Sequence, residues 1–413
     1  MKKIISFIAH IYKNDKFAEL LSFIIREIKY FFGFYKKITM RFNQAPLLCL
    51  ENNHLDDLQS TPFLVKTDVN WFLQFSDNDK IYGTTDDNPN TLYVCINGKL
   101  TELFYFTDRI LSIFISSKKV IFICTYGKLY RSTDAGYTFS IVLNFSSTQS
   151  YFLQDSFTEN DKGELFVGEY VNAYNKKWHF GAYLYYSRDN GTNWKKFDFL
   201  KQKNINKHIH LVKWNKKLQG LILTDGDNKK KLWYNRSGNY QSITQNSNSG
   251  WEDITKIHIR NGGYTTYVES NGKAIFGTDY NGGTNFIAMT SDLYKFTKQI
   301  VPDPYRRSVF ASMLNIYRTN QPQIWAVLHG EESKNAKSLL MMSIDNGKTW
   351  NRIIEYNGDS FKIKILNTNN VSEELFINIE NTSKTSIQPG HKKIHGCYKI
   401  NFSELEKSIK LKE

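Results

Sequence analysis

Three stretches decide the reading of this chain: residues 132–139, STDAGYTF; residues 187–194, SRDNGTNW; and residues 343–350, SIDNGKTW. They share the form S-x-D-x-G-x-[TN]-[WF]. Each fixed position has a physical reason. The acids Asp134, Asp189 and Asp345 can accept backbone N–H bonds inside a tight turn. Gly136, Gly191 and Gly347 supply a backbone conformation with positive φ. The closing aromatics, among them Trp194 and Trp350, can pack beneath the turn. One copy would say little, but three in one chain predict a repeated structural unit.

Working outward, weaker copies lie near Cys95, Asn235, Thr290 and Cys397. Taking positions 95, 132, 187, 236, 290, 343 and 397, the steps after the first run from 49 to 55 residues. Between them, runs of four to eight residues rich in Ile, Val, Phe, Tyr and Leu alternate with Gly, Asn, Asp, Ser and Lys turns. No proline occurs between Pro89 and Pro302. The pattern predicts an all-β chain of short hairpins. A period near 50 residues suits a β-propeller of four-stranded blades. Seven blades fit best, with six left open because the first and last copies are the weakest. The second to sixth blades parse into four strands each. They include YFLQDSF as strand one of the third and YQSIT as strand four of the fourth. The seventh is expected to use KIKILN, ELFINIE, GCYKIN and the C-terminal SIKLK, unless the strand near Leu47–Leu50 closes the ring.

The recurring turn resembles the Asp-box, or bacterial neuraminidase repeat, of sialidase-like β-propellers. The resemblance covers most of the chain beyond the N-terminal block. The run KHIHLVKWNKKLQGLILTDGDN, with GEY upstream and GTDY downstream, is similar to poorly characterised bacterial Asp-box proteins labelled glycosyl-hydrolase-like. The resemblance implies the fold and raises the weight of a glycan ligand without naming a reaction. Sialidases carry an F/Y-R-I-P tetrapeptide that this sequence lacks, and arginines are few here, so a true sialidase is not expected.

Strand alternation sorts the unusual polar residues by face. Loops joining strands three and four carry the Asp-boxes. Loops joining strands two and three, and one blade to the next, lie on the opposite face. There the sequence places Glu169, Asp225, Asp227, Asp279, Tyr280, His329 and Glu331 at the ends of second strands. His208 and His210 start a first strand, and Arg306 precedes another. Glu169, His208, Asp225, Asp279 and His329 are the candidate catalytic groups. His210, Asp227, Tyr280, Arg306 and Glu331 are candidate substrate-binding groups. Paired carboxylates would serve a hydrolase. A histidine or tyrosine base with a cation would serve a lyase acting on a uronic acid. Each group also has a plain structural reading, as turn acid, satisfied histidine pair or solvated charge. The expected function is a carbohydrate-active propeller acting on or binding a polysaccharide. The alternative is a non-catalytic glycan- or protein-binding module.

The composition narrows the remainder. The 413 residues carry a net charge of +14, with 15% aromatics and seven prolines, which excludes a disordered chain. Residues 1–41 form a basic block at +6, nine cations against three anions. Within it Phe17, Leu20, Leu21, Ile24, Ile25, Ile28, Phe31 and Phe32 repeat at helical spacing, with Asp15 as an N-cap and Gly33 as a stop. This helix is expected to dock on the 42–413 propeller by its apolar stripe, to lie on an anionic membrane, or to be part of an export signal. The extreme N-terminus lacks an A-x-A cleavage site, which favours a cytoplasmic or membrane-peripheral protein over a secreted one. Cys49, Cys95, Cys124 and Cys397 show no metal or disulfide spacing. No metal site or cofactor is expected, and no nucleic acid partner, for want of any binding signature.

Overall fold

The computed structural model describes residues 17–51, 58, 60–77, 79–171, 180–203, 207–226, 230–255, 262–280, 282–318, 321–330, 336–366, 374–381 and 395–411. The period of the sequence becomes a ring of seven blades. Blade two shows the plan: Ser112–Ile115, Ile121–Thr125, Lys128–Ser132 and Ser140–Asn144 pair antiparallel in that order. First strands of neighbouring blades touch, so they line the axis. Second strands are sealed on both sides; every residue of Ile121–Thr125 is buried, whereas the outer Ser140–Asn144 is largely exposed. Apolar side chains therefore fill the gaps between blades, as sheets packed face to face require. Trp233, Trp251, Trp325 and Trp350 are fully buried there.

The Asp-boxes hold as their chemistry dictates. In the clearest copy, Ser187 Oγ donates to Asp189 Oδ1 at 2.8 Å, and Gly191 N donates to Ser187 Oγ at 2.9 Å. Asp189 also accepts Asn193 N and Nδ2, at 3.0 and 2.7 Å. Ser132–Asp134–Thr138 and Ser343–Asp345–Thr349 repeat the pattern. Two successive residues turn left-handed in each box: Ala135–Gly136, Asn190–Gly191 and Asn346–Gly347. The backbone and side-chain donors of Asn193 hold the Asp189 carboxyl down at about 2, against the weaker opposing effect of burial.

Both chain ends act outside the repeat, and here the structure corrects the sequence reading. Blade seven consists of Phe361–Ile365, Phe376–Asn381 and His395–Ile400, with Leu64–Lys66 as its outer strand. The ring is thus closed by the N-terminal side of the chain. Within SIKLK, Ser408–Lys410 is not a strand; it ends the helix Phe402–Lys410, which Asn401 caps and which buries Phe402, Leu405 and Ile409. Leu48–Leu50 adds as a fifth strand, parallel to Asn351–Asn357 of blade six. In blade four the outer strand is Trp251–Asp253, and Ile243–Thr244 of YQSIT lies parallel outside it. In blade three only Phe157–Glu159 forms the first strand, since Gln154–Ser156 is a 3-10 turn.

The N-terminal helix spans Phe17–Phe31 and ends as the sequence signals. Gly33 has φ +73°, Phe34 N donates to Lys29 O, and Gly33 N donates to Tyr30 O, both at 3.0 Å. The chain then runs along the outer edges of two blades. Met40 N bonds Ile300 O at 2.8 Å, and Asn43 N bonds Trp350 O at 3.0 Å.

Candidate functional site

The face opposite the Asp-boxes is built from loops at the ends of second strands and from connections between blades. Between blades two and three the connection forms a two-residue strand, Ser150–Tyr151, which pairs antiparallel with Tyr170–Val171. Its register sets Tyr151 directly opposite Tyr170, and the rings lie 5.1 Å apart. The hairpin of blade two brings Tyr126 to within 6.1 Å of Tyr151. Gly127 makes this approach feasible: its N–H donates to Ser150 O at 2.7 Å, and an added Cβ would meet Thr148 Cα at 3.0 Å. On the other side Tyr170 stacks on His208 at 3.9 Å, and His208 on His210 at 4.9 Å. Five rings from three blades thus form one continuous row. It begins at Tyr126, 43% exposed, passes half-buried Tyr151 and Tyr170, and ends at the buried histidines.

The histidine pair has a defined polarity. His208 Nδ1 lies 2.9 Å from Val171 O, an acceptor only, so it carries a hydrogen. His208 Nε2 faces His210 Nε2 at 3.0 Å. In the neutral pair, His210 therefore donates from Nε2 to the lone pair of His208 Nε2. These protonation sites are assigned from the contacts. Gly226 backs the pair: its N–H donates to His208 O at 2.9 Å, and an added Cβ would fall 2.2 Å from His210 Nε2.

The neighbouring acids are held in the framework. Glu169 is fully buried. Its carboxylate accepts the hydroxyls of Ser146, Ser150 (2.5 Å) and Tyr185 (2.6 Å), and the Ser146 N–H at 3.2 Å. Burial pushes its pKa up, outweighing those bonds. Asp225 accepts Trp233 Nε1 at 2.9 Å and Lys231 N at 3.2 Å on Oδ2, while Oδ1 has no partner among the described residues. Burial raises it to about 7.

The other sequence candidates divide into two further groups. Asp279 and Tyr280 sit at the boundary of blades four and five. Lys230 Nζ donates to Asp279 O at 3.0 Å, and Tyr280 donates to Gly262 O at 3.0 Å. Arg306 is engaged by the N-terminal helix through Glu27, as described below. His329 lies in blade six, its Nδ1 3.3 Å from the hydroxyl of Tyr356. Asp227 and Glu331 lie outside the described residues. Backbone bonds set Glu169, His208 and Asp225 side by side, since Ile209 N donates to Glu169 O and Gly226 N to His208 O, each at 2.9 Å, whereas Arg306 precedes blade six and His329 ends its second strand. Sequence reasoning missed Tyr126 and Tyr151. Tyr126 was within reach: it ends a second strand as Glu169 does, one blade earlier. No group of three or more metal-ligating side chains occurs among the described residues.

A family model of the BNR/Asp-box repeat matches residues 185–196, the turn of blade three. This chain is a seven-bladed propeller carrying Asp-box turns. No curated protein matches the sequence. Among solved structures, the Asp-box propeller is similar to polysaccharide lyase Uly1, at 12% identity over 87% of this chain and 97% of that one, with a TM-score of 0.45. An ancestral GH74 enzyme matches at 11% identity over 78% of this chain and 46% of that one, TM-score 0.48. The Neurospora crassa Pan2 WD40 domain matches at 10% identity over 80% and 89%, TM-score 0.44. At these scores and identities the neighbours carry no assignment of activity.

Proposed function

We propose that the Asp-box propeller is a carbohydrate-active protein that holds a glycan along the ring row on the face opposite its Asp-boxes. The row from Tyr126 to His210 is the observation that carries this reading. Sugar rings present C–H faces that pack on aromatic faces, while tyrosine hydroxyls serve the sugar hydroxyls. The row runs from exposed to buried, as a subsite series leading to an inner end would. At that inner end the two imidazoles share one hydrogen between facing Nε2 atoms, the kind of group that serves as a general acid or base. The nearest carboxylates, Glu169 and Asp225, are bonded into the framework. The arrangement therefore favours histidine or tyrosine acid–base chemistry, as in β-elimination from a uronic acid, over hydrolysis by two carboxylates. The second reading is a glycan-binding module without turnover. Its support is the burial of the histidines, 2% and 7% exposed, and their bond to each other.

The test uses the full chain against a panel of uronic-acid and neutral polysaccharides. Binding is measured by calorimetry, elimination by the absorbance of an unsaturated product, and hydrolysis by new reducing ends. At least one uronic-acid polymer should bind, and Tyr126→Ala and Tyr170→Ala should each weaken it by about tenfold, or ~1.4 kcal/mol. Turnover lost in His210→Ala with binding kept supports the enzyme; binding without turnover supports the module. No binding to any member, or full affinity in Tyr170→Ala, overturns both.

A further inference from the structure

The N-terminal helix is amphipathic, and it docks by the side opposite to the one its apolar stripe predicts. The inward side carries Ser22, Phe23, Arg26, Glu27 and Tyr30, one face at helical spacing. Arg26 lies over the Tyr280 ring at 3.6 Å and bonds Ser22 Oγ at 2.7 Å. Glu27 receives Arg306 Nη1 at 2.8 and 2.7 Å and Thr284 Oγ1 at 2.6 Å. Tyr30 donates to Asp303 Oδ2 at 3.1 Å and lies beneath the Arg306 guanidinium. The propeller offers Arg306 and Thr284 to Glu27, Asp303 to Tyr30 and the Tyr280 ring to Arg26, so the polar side of the helix is the side that fits.

The apolar stripe therefore faces out. Leu21, Ile24 and Ile28 are each more than 40% exposed, and Phe31, Phe32 and Phe34 are 84, 68 and 72% exposed. Soluble proteins seldom leave so contiguous an apolar strip uncovered. Lys29, Lys36, Lys37 and Arg41 flank it, all exposed. In sequence, Lys2, Lys3, Lys13 and Lys16 precede it against a single acid, Asp15.

We propose that this outward face docks on an anionic lipid bilayer, with the aromatic and aliphatic side chains entering the headgroup boundary and the lysines meeting acidic lipids. Charge decides between a bilayer and a second copy of the chain. A symmetric pairing through this strip would set each lysine cluster against its own image, whereas an acidic lipid surface complements it. No helix among the described residues is long and apolar enough to cross a membrane. Its contacts Tyr280, Thr284, Asp303 and Arg306 all lie in loops of the face opposite the Asp-boxes, so that face sits beside the lipid. This inference does not depend on the glycan reading.

The test is flotation of the full chain with vesicles of phosphatidylcholine alone or mixed with phosphatidylserine. The protein should float with the mixed vesicles and stay behind with the neutral ones. Phe31→Ser with Phe34→Ser should cut the bound fraction by about tenfold or more. Lys36→Glu with Lys37→Glu should remove the preference for phosphatidylserine, a loss of roughly tenfold or more. These side chains are exposed, so circular dichroism and melting temperature should be unchanged. Equal recovery with both vesicles, or none, overturns the proposal. So does a concentration-dependent dimer that Phe31→Ser with Phe34→Ser abolishes while vesicles stay unbound.

Discussion

Tyr170 lies on the imidazole of His208 with ring centroids 3.9 Å apart and planes inclined by 28°. The stack fixes the histidine's plane, and Val171 O fixes which nitrogen carries hydrogen. Nitrogen-15 spectra at neutral pH should therefore show His208 protonated at Nδ1 and bare at Nε2, with His210 protonated at Nε2. The opposite tautomer on His208 would refute the assigned polarity of the pair.

Gly226 offers a way to disturb that pair without changing any charge. Alanine there would put a methyl 2.2 Å from His210 Nε2 and 2.7 Å from His208 Cδ2. Gly226→Ala should cost about 1–3 kcal/mol by overpacking, read in chemical denaturation. Glycan affinity should fall by more than that loss of folded protein explains. Unchanged affinity would detach the histidines from the binding row.

Asp225 gives a pH signature. Burial raises its folded pKa to about 7, above the unfolded value. An acid shifted upward favours folding only while it stays protonated, so stability is lost as pH rises from about 4 through 7. Asp225→Asn keeps an acceptor for Trp233 and removes the ionisation. The variant should match the wild type near pH 4 and be more stable at pH 8, by roughly 2–4 kcal/mol in denaturant titrations. A parallel pH profile for the two proteins would contradict this.

The Asp-box acids act in the other direction. Asp189 is held at about 2, first by the Asn193 N–H. Its contribution is present above the ordinary carboxylate pKa and fades as pH falls toward 2. Asp189→Ala should lower stability by about 1–2 kcal/mol at pH 7. The gap from the wild type should close in acid, as thermal melts across that range would reveal.

Particular residues explain how much of this the sequence disclosed. The Asp-box is local chemistry: a serine, an acid and a glycine within five positions make their own turn, so the repeated turns predict the blades. Closure of blade seven has no local signal, because Leu64 and Ile400 meet only in the finished ring. The C-terminal SIKLK reads as a strand by apolar spacing, yet Asn401 with Glu404 is a helix start that the strand reading passed over. Apolar periodicity located the N-terminal helix, but its docking side depends on Tyr280 and Arg306, more than 250 positions away. Of the candidate site, the blade-edge rule found Glu169 and the histidines. The ring row was hidden because the pairing of Tyr151 with Tyr170 is set by a two-residue strand too short to read.

The outer strand of blade seven can itself be probed. Leu64 is buried against the last blade. Leu64→Ala should cost about 2–5 kcal/mol, and amide exchange should speed up first in His395–Ile400. Faster exchange spread evenly over all blades would contradict a local closure.

That closure also sets a schedule for synthesis. Leu64–Lys66 is made before the other three strands of blade seven, and its partner Tyr398–Ile400 belongs to the last of the four. At ordinary elongation rates the wait is on the order of tens of seconds. Throughout it, a strand edge and six stacked blades stand without their final neighbour. The growing protein is an open spiral exposed to chaperones and to pairing with neighbouring nascent chains. Only the arrival of Tyr398–Ile400 turns that spiral into a ring.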